Sequence, residues 1–107
     1  MAAGISLSKR PYSGIITTDD ANQSLISCSA DIRSVTVQPT SAAGCYVIVE
    51  GQVQGSAVPS SGRAEVIASG SAVVTPNDCG SGVGQAWSFG VARVSAGAVI
   101  HLLGSQR

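Results

Sequence analysis

Charged side chains are scarce in this sequence. Only 11% of its 107 residues are Asp, Glu, Lys or Arg, compared with about 25% in ordinary soluble domains. Six basic and six acidic residues cancel, so no cationic surface is expected to release counterions from a phosphate backbone, and nucleic acid is not an expected partner. Because uncharged residues must supply most of the polar surface, we expect part of it to be buried in an oligomer or lattice. A secreted domain with a Ser/Thr-rich surface is the alternative.

Large side chains are also few. Hydrophobic residues make up 44% of the chain but aromatic residues only 4%, and Ala and Val supply much of the remainder. At roughly 25 cal/mol per Å² of buried apolar surface, a core of Val and Ala is thin unless other surfaces join it. The length fits one domain, and the composition favours a domain that associates with neighbours.

Long apolar runs and paired cysteines are missing as well. No stretch approaches the ~20 apolar residues of a membrane span, so no membrane partner is expected. The basic pair Lys9-Arg10 follows the first apolar residues, the reverse of a secretory signal, and no export signal is predicted.

Cys28, Cys45 and Cys79 are odd in number and lack C-x-x-C spacing, which argues against a disulfide framework and a zinc site. We expect all three to be reduced, as in a cytoplasm.

Short runs rich in Val, Ile and Thr alternate with turn residues about every ten positions, the pattern of a β-sandwich or barrel. The clearest predicted strand is 45–53, whose odd positions are mostly apolar. Residues 83–91 repeat this alternation with Trp87 and Phe89 on one face. The other face holds small residues such as Gly90, which permit close approach by another sheet or chain. Beyond Gly90 the pattern slips, which predicts a bulge there.

Further strands are predicted at residues 14–18, 25–30, 32–37, 73–75 and 98–103. Segment 63–68 contains good helix formers but is too short for an unsupported helix, so a strand is favoured there as well. The sequence therefore predicts an all-β fold. It is a single antiparallel β-sandwich or jelly-roll-like domain at 14–107, preceded by an extended N-terminal arm at 1–13.

No catalytic, metal-binding or cofactor-binding set is predicted. The glycine-rich segment 80–85 lacks the Lys and the following helix of a phosphate loop and is interpreted as a hairpin tip. The acidic pairs at 19–20 and 77–78 lack the alternating spacing of a calcium loop and are interpreted as turns. His101, the single histidine, is predicted to be structural, although a small enzyme would require it to approach a nucleophile such as Cys79.

Trp87 is the one credible stacking surface for a sugar. Carbohydrate-binding modules stack sugars on exposed aromatic rings, so a carbohydrate-binding or adhesive β module is the alternative function. Because Trp87 shares its predicted strand face with apolar residues, a core position is favoured.

The basic arm Ser8-Lys9-Arg10-Pro11 and strands such as Ser71-Ala72-Val73-Val74-Thr75 are similar to those of small β proteins of tailed-phage particles. These include the cement or decoration proteins that sit on capsid shells, often as trimers. The resemblance implies a non-enzymatic structural subunit of a virion, assembled in the host cytoplasm, that bridges neighbouring capsomers. Its partners would be copies of itself, as a trimer, and a larger shell protein.

Four residues of the arm are the candidate partner contacts. Ile5 and Leu7 could place apolar side chains on one face of an added strand, and Lys9 and Arg10 could pair with acidic groups on a neighbour. The competing interpretation is that the arm folds back on its own domain.

Overall fold

A computed structural model describes residues 5–7, 13–18, 23–40, 44–50, 52–82, 84–94 and 98–106. These residues form nine β-strands and one short 3₁₀-helix at Asn77–Cys79. The strands are β1 (Ile5–Leu7), β2 (Ser13–Thr18), β3 (Ser24–Cys28), β4 (Ile32–Pro39), β5 (Cys45–Ile48), β6 (Arg63–Val66), β7 (Ala72–Val74), β8 (Trp87–Arg93) and β9 (Ala98–Gln106). No helix within these ranges is long and apolar enough to cross a membrane.

The strands form two sheets. Sheet I has the order β1-β3-β8-β5-β6, and sheet II has the order β2-β9-β4-β7. Every pair is antiparallel except β1 with β3, which run parallel. The prediction of an all-β, antiparallel sandwich domain is confirmed.

The core lies between the two sheets. Strand alternation directs every second side chain inward, so that Phe89 and Ile26 of sheet I and Leu102 of sheet II belong to one buried cluster. Trp87 extends this cluster, and its ring stacks on Phe89 with centroids 5.7 Å apart. Although the individual side chains are mostly small, contributions from both sheets give a continuous core.

The structure corrects the bounds of the two clearest predicted strands. β5 ends at Ile48 rather than at residue 53, because the chain bends at Glu50 and leaves the sheet. β8 begins at Trp87 rather than at residue 83, because Gly84 has a φ of +80°, a turn conformation that a strand does not use. Segment 63–68 contains β6, which confirms the strand favoured there.

The predicted bulge at Gly90 is wrong. β8 keeps an unbroken register with β5 from Gly90 to Arg93, and the register shift in this fold lies in β4 instead, between Ile32 and Ser34. The apolar pattern slips beyond Gly90 because β8 ends at Arg93, so that Val94 lies outside the strand. The outward positions Gly90 and Ala92 are buried as well. Burial on both faces removes the alternation that a half-exposed strand shows.

Part of the predicted N-terminal arm belongs to the sandwich. β1 pairs with β3 at the edge of sheet I, and the side chain of Leu7 is buried in the core, with 3% of its surface exposed. β2 then joins the opposite sheet at Ser13. Lys9 and Arg10 lie outside the described residues.

Candidate interaction surface

The structure does not bring His101 and Cys79 together. Ile100 and Leu102 point into the core, so His101 between them lies on the outer face of sheet II. Cys79 packs against the core from the 3₁₀-helix, on the other side of that sheet. Within the described ranges no hydrogen bond joins His101 to a thiol.

All three thiols are free and poorly suited to nucleophilic chemistry. Burial raises the pKa of Cys28 to about 12, with a further contribution from the neighbouring Cys79 thiol. Burial also raises the pKa of Cys45 and of Cys79 to about 11, and Asp78 adds to the shift at Cys79. Because the thiolate is the reactive form, protonated thiols react slowly at neutral pH. Cys28 and Cys45 instead pack as small hydrophobic residues in the core.

Polar groups of the acidic turn at 77–78 and of the glycine-rich segment at 80–85 form local hydrogen bonds. The Asp78 carboxylate accepts hydrogen bonds from the backbone N–H and the hydroxyl of Thr75, both at 3.0 Å. The Gly82 N–H donates to Gln85 Oε1 at 3.0 Å, and a strand rather than a helix follows. Across the part of the chain that the structure describes, no group of three or more His, Cys, Asp or Glu side chains could hold a metal ion.

Trp87 is a core residue, as predicted, and offers no stacking surface to a sugar. Its side chain is 4% exposed, and its indole Nε1–H donates to the carbonyl oxygen of Ile32 at 3.0 Å. Tyr46, half-buried on β5, has the Arg63 guanidinium carbon 4.6 Å from its ring centroid. The cation covers the face on which a sugar would stack.

The outer face of sheet I is covered by the chain itself. Segment 52–57, called the covering segment below, crosses this face above β8. A Cβ added to Gly90 would lie 2.8 Å from Gln23 Oε1 and 3.3 Å from Gln52 Cβ. The close approach predicted from the small residues of β8 is therefore made by this chain's own segment at Gly90.

Glutamine side chains hold the covering segment in place. Gln23, 3% exposed, donates from Nε2 to the Ala57 carbonyl at 3.0 Å and accepts at Oε1 from the Val53 N–H at 3.3 Å. Gln52 Nε2 donates to the Ser88 carbonyl at 3.0 Å, and Gln54 Oε1 accepts from the Leu25 N–H at 2.7 Å. These side-chain amides form hydrogen bonds with backbone groups at places where strand-to-strand hydrogen bonding ends.

The outer face of sheet II has no such cover among the described residues. We call its outward side chains the uncharged face: Ser34, Thr36 and Gln38 of β4, Val73 of β7, and Val99, His101 and Leu103 of β9. Val73, Thr36 and Leu103 are neighbours in register and form one row across the sheet. Val73 is 60% exposed and Leu103 39% exposed, so apolar surface faces outward.

This face contains no Asp, Glu, Lys or Arg. Arg33, at the register shift that starts β4, is the single charged residue in the strand ranges of sheet II. Sheet I differs, because Arg63 and Glu65 are exposed on its edge strand β6. From Ser34 onward, the outward side chains of β4, β7 and β9 therefore form an uncharged surface.

Of the four predicted partner contacts, the structure places two. Ile5 lies in β1, paired with Ile26, and Leu7 lies in the same strand with its side chain in the core rather than at the surface. The uncharged face was not predicted from the sequence, although β9 has apolar residues on both of its sides. No protein-family model, curated protein or solved structure matches the chain, so its own geometry must carry the functional argument.

Proposed function

We propose that this protein is a non-enzymatic structural subunit that is bound into a larger assembly. The role is that of the cement or decoration proteins of tailed-phage capsids. The observation that carries the proposal is the uncharged face, where Val73 and Leu103 are exposed among Ser, Thr and Gln side chains. The cores of protein interfaces are depleted in charged residues, so this composition suits a surface that another protein covers.

Burial of this face would be favourable because little of it must be stripped of tightly held water. Burying a Val or Leu side chain completely is worth about 1.5–3 kcal/mol, so the exposed parts of Val73 and Leu103 offer about 1 kcal/mol each. No ionised side chain on the face opposes that gain. The rigid sheet also loses little conformational entropy when a partner docks.

The arm supplies a second attachment element in this proposal. Among the described residues no strand pairs with the outer side of β1, the edge strand of sheet I, so this edge could receive an added strand from a neighbour. With Leu7 in the core, backbone hydrogen bonds rather than this side chain would carry the contact. Ile5, Lys9 and Arg10 remain predicted contacts with a shell protein.

A catalytic role is not proposed, because His101 and the thiols lie apart and burial keeps the thiols protonated. A sugar-binding role loses its main support because Trp87 is buried.

Density-gradient sedimentation of the native chain tests the proposal. Fractions are collected from the cells that make the protein and from the particles that they release, and an antibody detects the chain in each fraction. We expect the chain to sediment with a particle far heavier than 10.6 kDa. Detection solely at the top of the gradient, in both samples, would contradict a structural role in an assembly.

A further inference from the structure

We infer that Cys28 and Cys79 are a redox-sensitive pair, which a small-molecule disulfide oxidises to an intramolecular disulfide in the folded chain. The crosslink fastens the 3₁₀-helix to the end of β3 and stabilises the fold. This pair acts within one chain, independently of the proposed structural role.

The fold brings the two thiols to one end of sheet I. Cys28 ends β3 and is paired with Trp87, the first residue of β8. The 3₁₀-helix at Asn77–Cys79 packs against β8, and the Cys79 side chain packs against the core cluster that contains Cys28. After burial, the neighbouring Cys79 thiol is the second cause that raises the pKa of Cys28, so the two thiols are close enough to interact.

Hydrogen bonds hold the turn that carries Cys79. The Cys79 N–H donates to the Pro76 carbonyl oxygen and the Asp78 N–H to the Thr75 carbonyl oxygen, both at 3.1 Å. The Asp78 carboxylate accepts two further hydrogen bonds from Thr75. Because this backbone is already ordered, little conformational entropy is lost when Cys79 is joined to Cys28.

Cys45 provides an internal comparison. It is paired with Arg93, at the opposite end of β8 from Trp87. At ~3.3 Å per residue these two ends of β8 lie about 20 Å apart. A disulfide requires Cα atoms within about 7 Å of each other, so Cys45 cannot reach Cys28 in the folded chain.

The exposure of the two thiols sets the order of the steps. Cys79 is half-buried, whereas Cys28 is 3% exposed. The Cys79 thiolate attacks a sulfur of oxidised glutathione, forms a mixed disulfide and releases one glutathione thiolate. The Cys28 thiolate then attacks Cys79 Sγ and releases the second glutathione thiolate. The two protein thiols lose two electrons and two protons, and oxidised glutathione becomes two molecules of glutathione.

The experiment exposes the purified full chain to oxidised glutathione and maps the disulfides by mass spectrometry of peptides prepared without reductant. From the folded chain we expect the Cys28–Cys79 disulfide, the loss of two hydrogen atoms and one remaining thiol, at Cys45. In urea we expect Cys28–Cys45 to predominate, because these residues are 17 positions apart in sequence, whereas 51 positions separate Cys28 from Cys79.

The rate of crosslinking is a second readout. Burial, with a further contribution from Asp78, raises the pKa of Cys79 to about 11. The thiolate fraction, and with it the rate, should therefore rise about tenfold per pH unit between about pH 7 and pH 9. A rate that does not change with pH would overturn attack by the protein thiols.

Two matched variants serve as controls. Cys45→Ala should form the crosslink at an unchanged rate, whereas Cys79→Ala should form no intramolecular disulfide while folded. Circular dichroism confirms that each variant is folded, and the map of the unsubstituted chain decides the outcome if a variant fails to fold. Because the crosslink closes a loop of about 50 residues, the oxidised chain should unfold at a higher urea concentration.

Three results would overturn the inference. They are three free thiols after oxidation of the folded chain, a glutathione adduct that persists on Cys79, and a folded-state disulfide that contains Cys45. A crosslinked chain that unfolds at the same or a lower urea concentration would overturn the stabilising role of the disulfide.

Discussion

Gly90→Ala tests whether the covering segment is packed as tightly as the geometry indicates. The added Cβ would meet Gln23 Oε1 at 2.8 Å and Gln52 Cβ at 3.3 Å, so the amide of Gln23 must move. That amide makes the hydrogen bonds to Val53 and Ala57. The substitution therefore disturbs the side chain that holds the covering segment in place.

Two opposing effects set the magnitude. Gly90 lies outside the left-handed region, so alanine fits the backbone and restricts the unfolded chain, a gain of about 0.4–1 kcal/mol. Overpacking costs about 1–3 kcal/mol, and strained hydrogen bonds at Gln23 add to that loss. We expect Gly90→Ala to lower the free energy of unfolding by about 1–2 kcal/mol.

A double-mutant cycle with Gln23→Ala isolates the contact. Gln23→Ala alone removes the hydrogen bonds and is expected to cost about 1–3 kcal/mol. Once the amide is gone, Gly90→Ala should cost close to nothing, which gives a coupling energy of about 1 kcal/mol or more. Gly82→Ala, whose nearest atom would be Gln85 Oε1 at 3.5 Å, is the control and should change stability by less than about 0.5 kcal/mol.

Urea unfolding followed by the fluorescence of Trp87, the single tryptophan, measures each variant. Additive effects of Gly90→Ala and Gln23→Ala would refute the reasoning, because they would mean that the two groups do not touch. A stabilised Gly90→Ala variant would also refute it, since the backbone effect would then act without a clash.

Three further predictions concern the core, the thiols and the arm. Trp87→Phe should cost about 1–3 kcal/mol in urea unfolding, because the Ile32 carbonyl loses its buried donor. The cysteine thiols should stay reduced and resist alkylation without reductant until denaturant is added, whereupon all three react; a single reactive thiol would indicate a disulfide. Burial raises the thiol pKa values from about 8.5 in the unfolded chain to about 11 or 12. The thiols' contribution to the free energy of unfolding should therefore be complete below pH 8 and be lost as the pH rises from there toward 12. An unfolding free energy that stays constant across this range in calorimetry would contradict the burial. Leu7→Ala should cost about 2–4 kcal/mol, whereas Lys9→Ala with Arg10→Ala should leave unfolding unchanged yet abolish incorporation into the assembly; unchanged incorporation would exclude the basic pair as an attachment element.

The inward faces of the strands could be predicted from sequence because a strand buried on one side alternates. Trp87 and Phe89 were placed in the core on that basis, and both are buried. The same rule failed at the end of β5. Ile48 points outward yet is fully buried, because the covering segment adds a second buried side that local alternation does not encode.

The uncharged face could not be predicted for a related reason. In β9, Ile100 and Leu102 alternate with Val99 and Leu103, so both sides of the strand look apolar. Which side faces outward depends on the pairing of Leu103 with Thr36, and that of Thr36 with Val73, across 30 or more residues of chain. Only the register of the sheet assembles these residues into one row.

The pairing of β2 with β9 has a consequence for when this protein becomes competent to associate. Ser13 pairs with Leu103, so sheet II joins segments that are far apart in the sequence, and β9 lies between β2 and β4. Such long-range pairing folds slowly. During synthesis β2, β4 and β7 lack this central neighbour until β9 has left the ribosome. The uncharged face is therefore not assembled on a chain in which β9 has not yet been made.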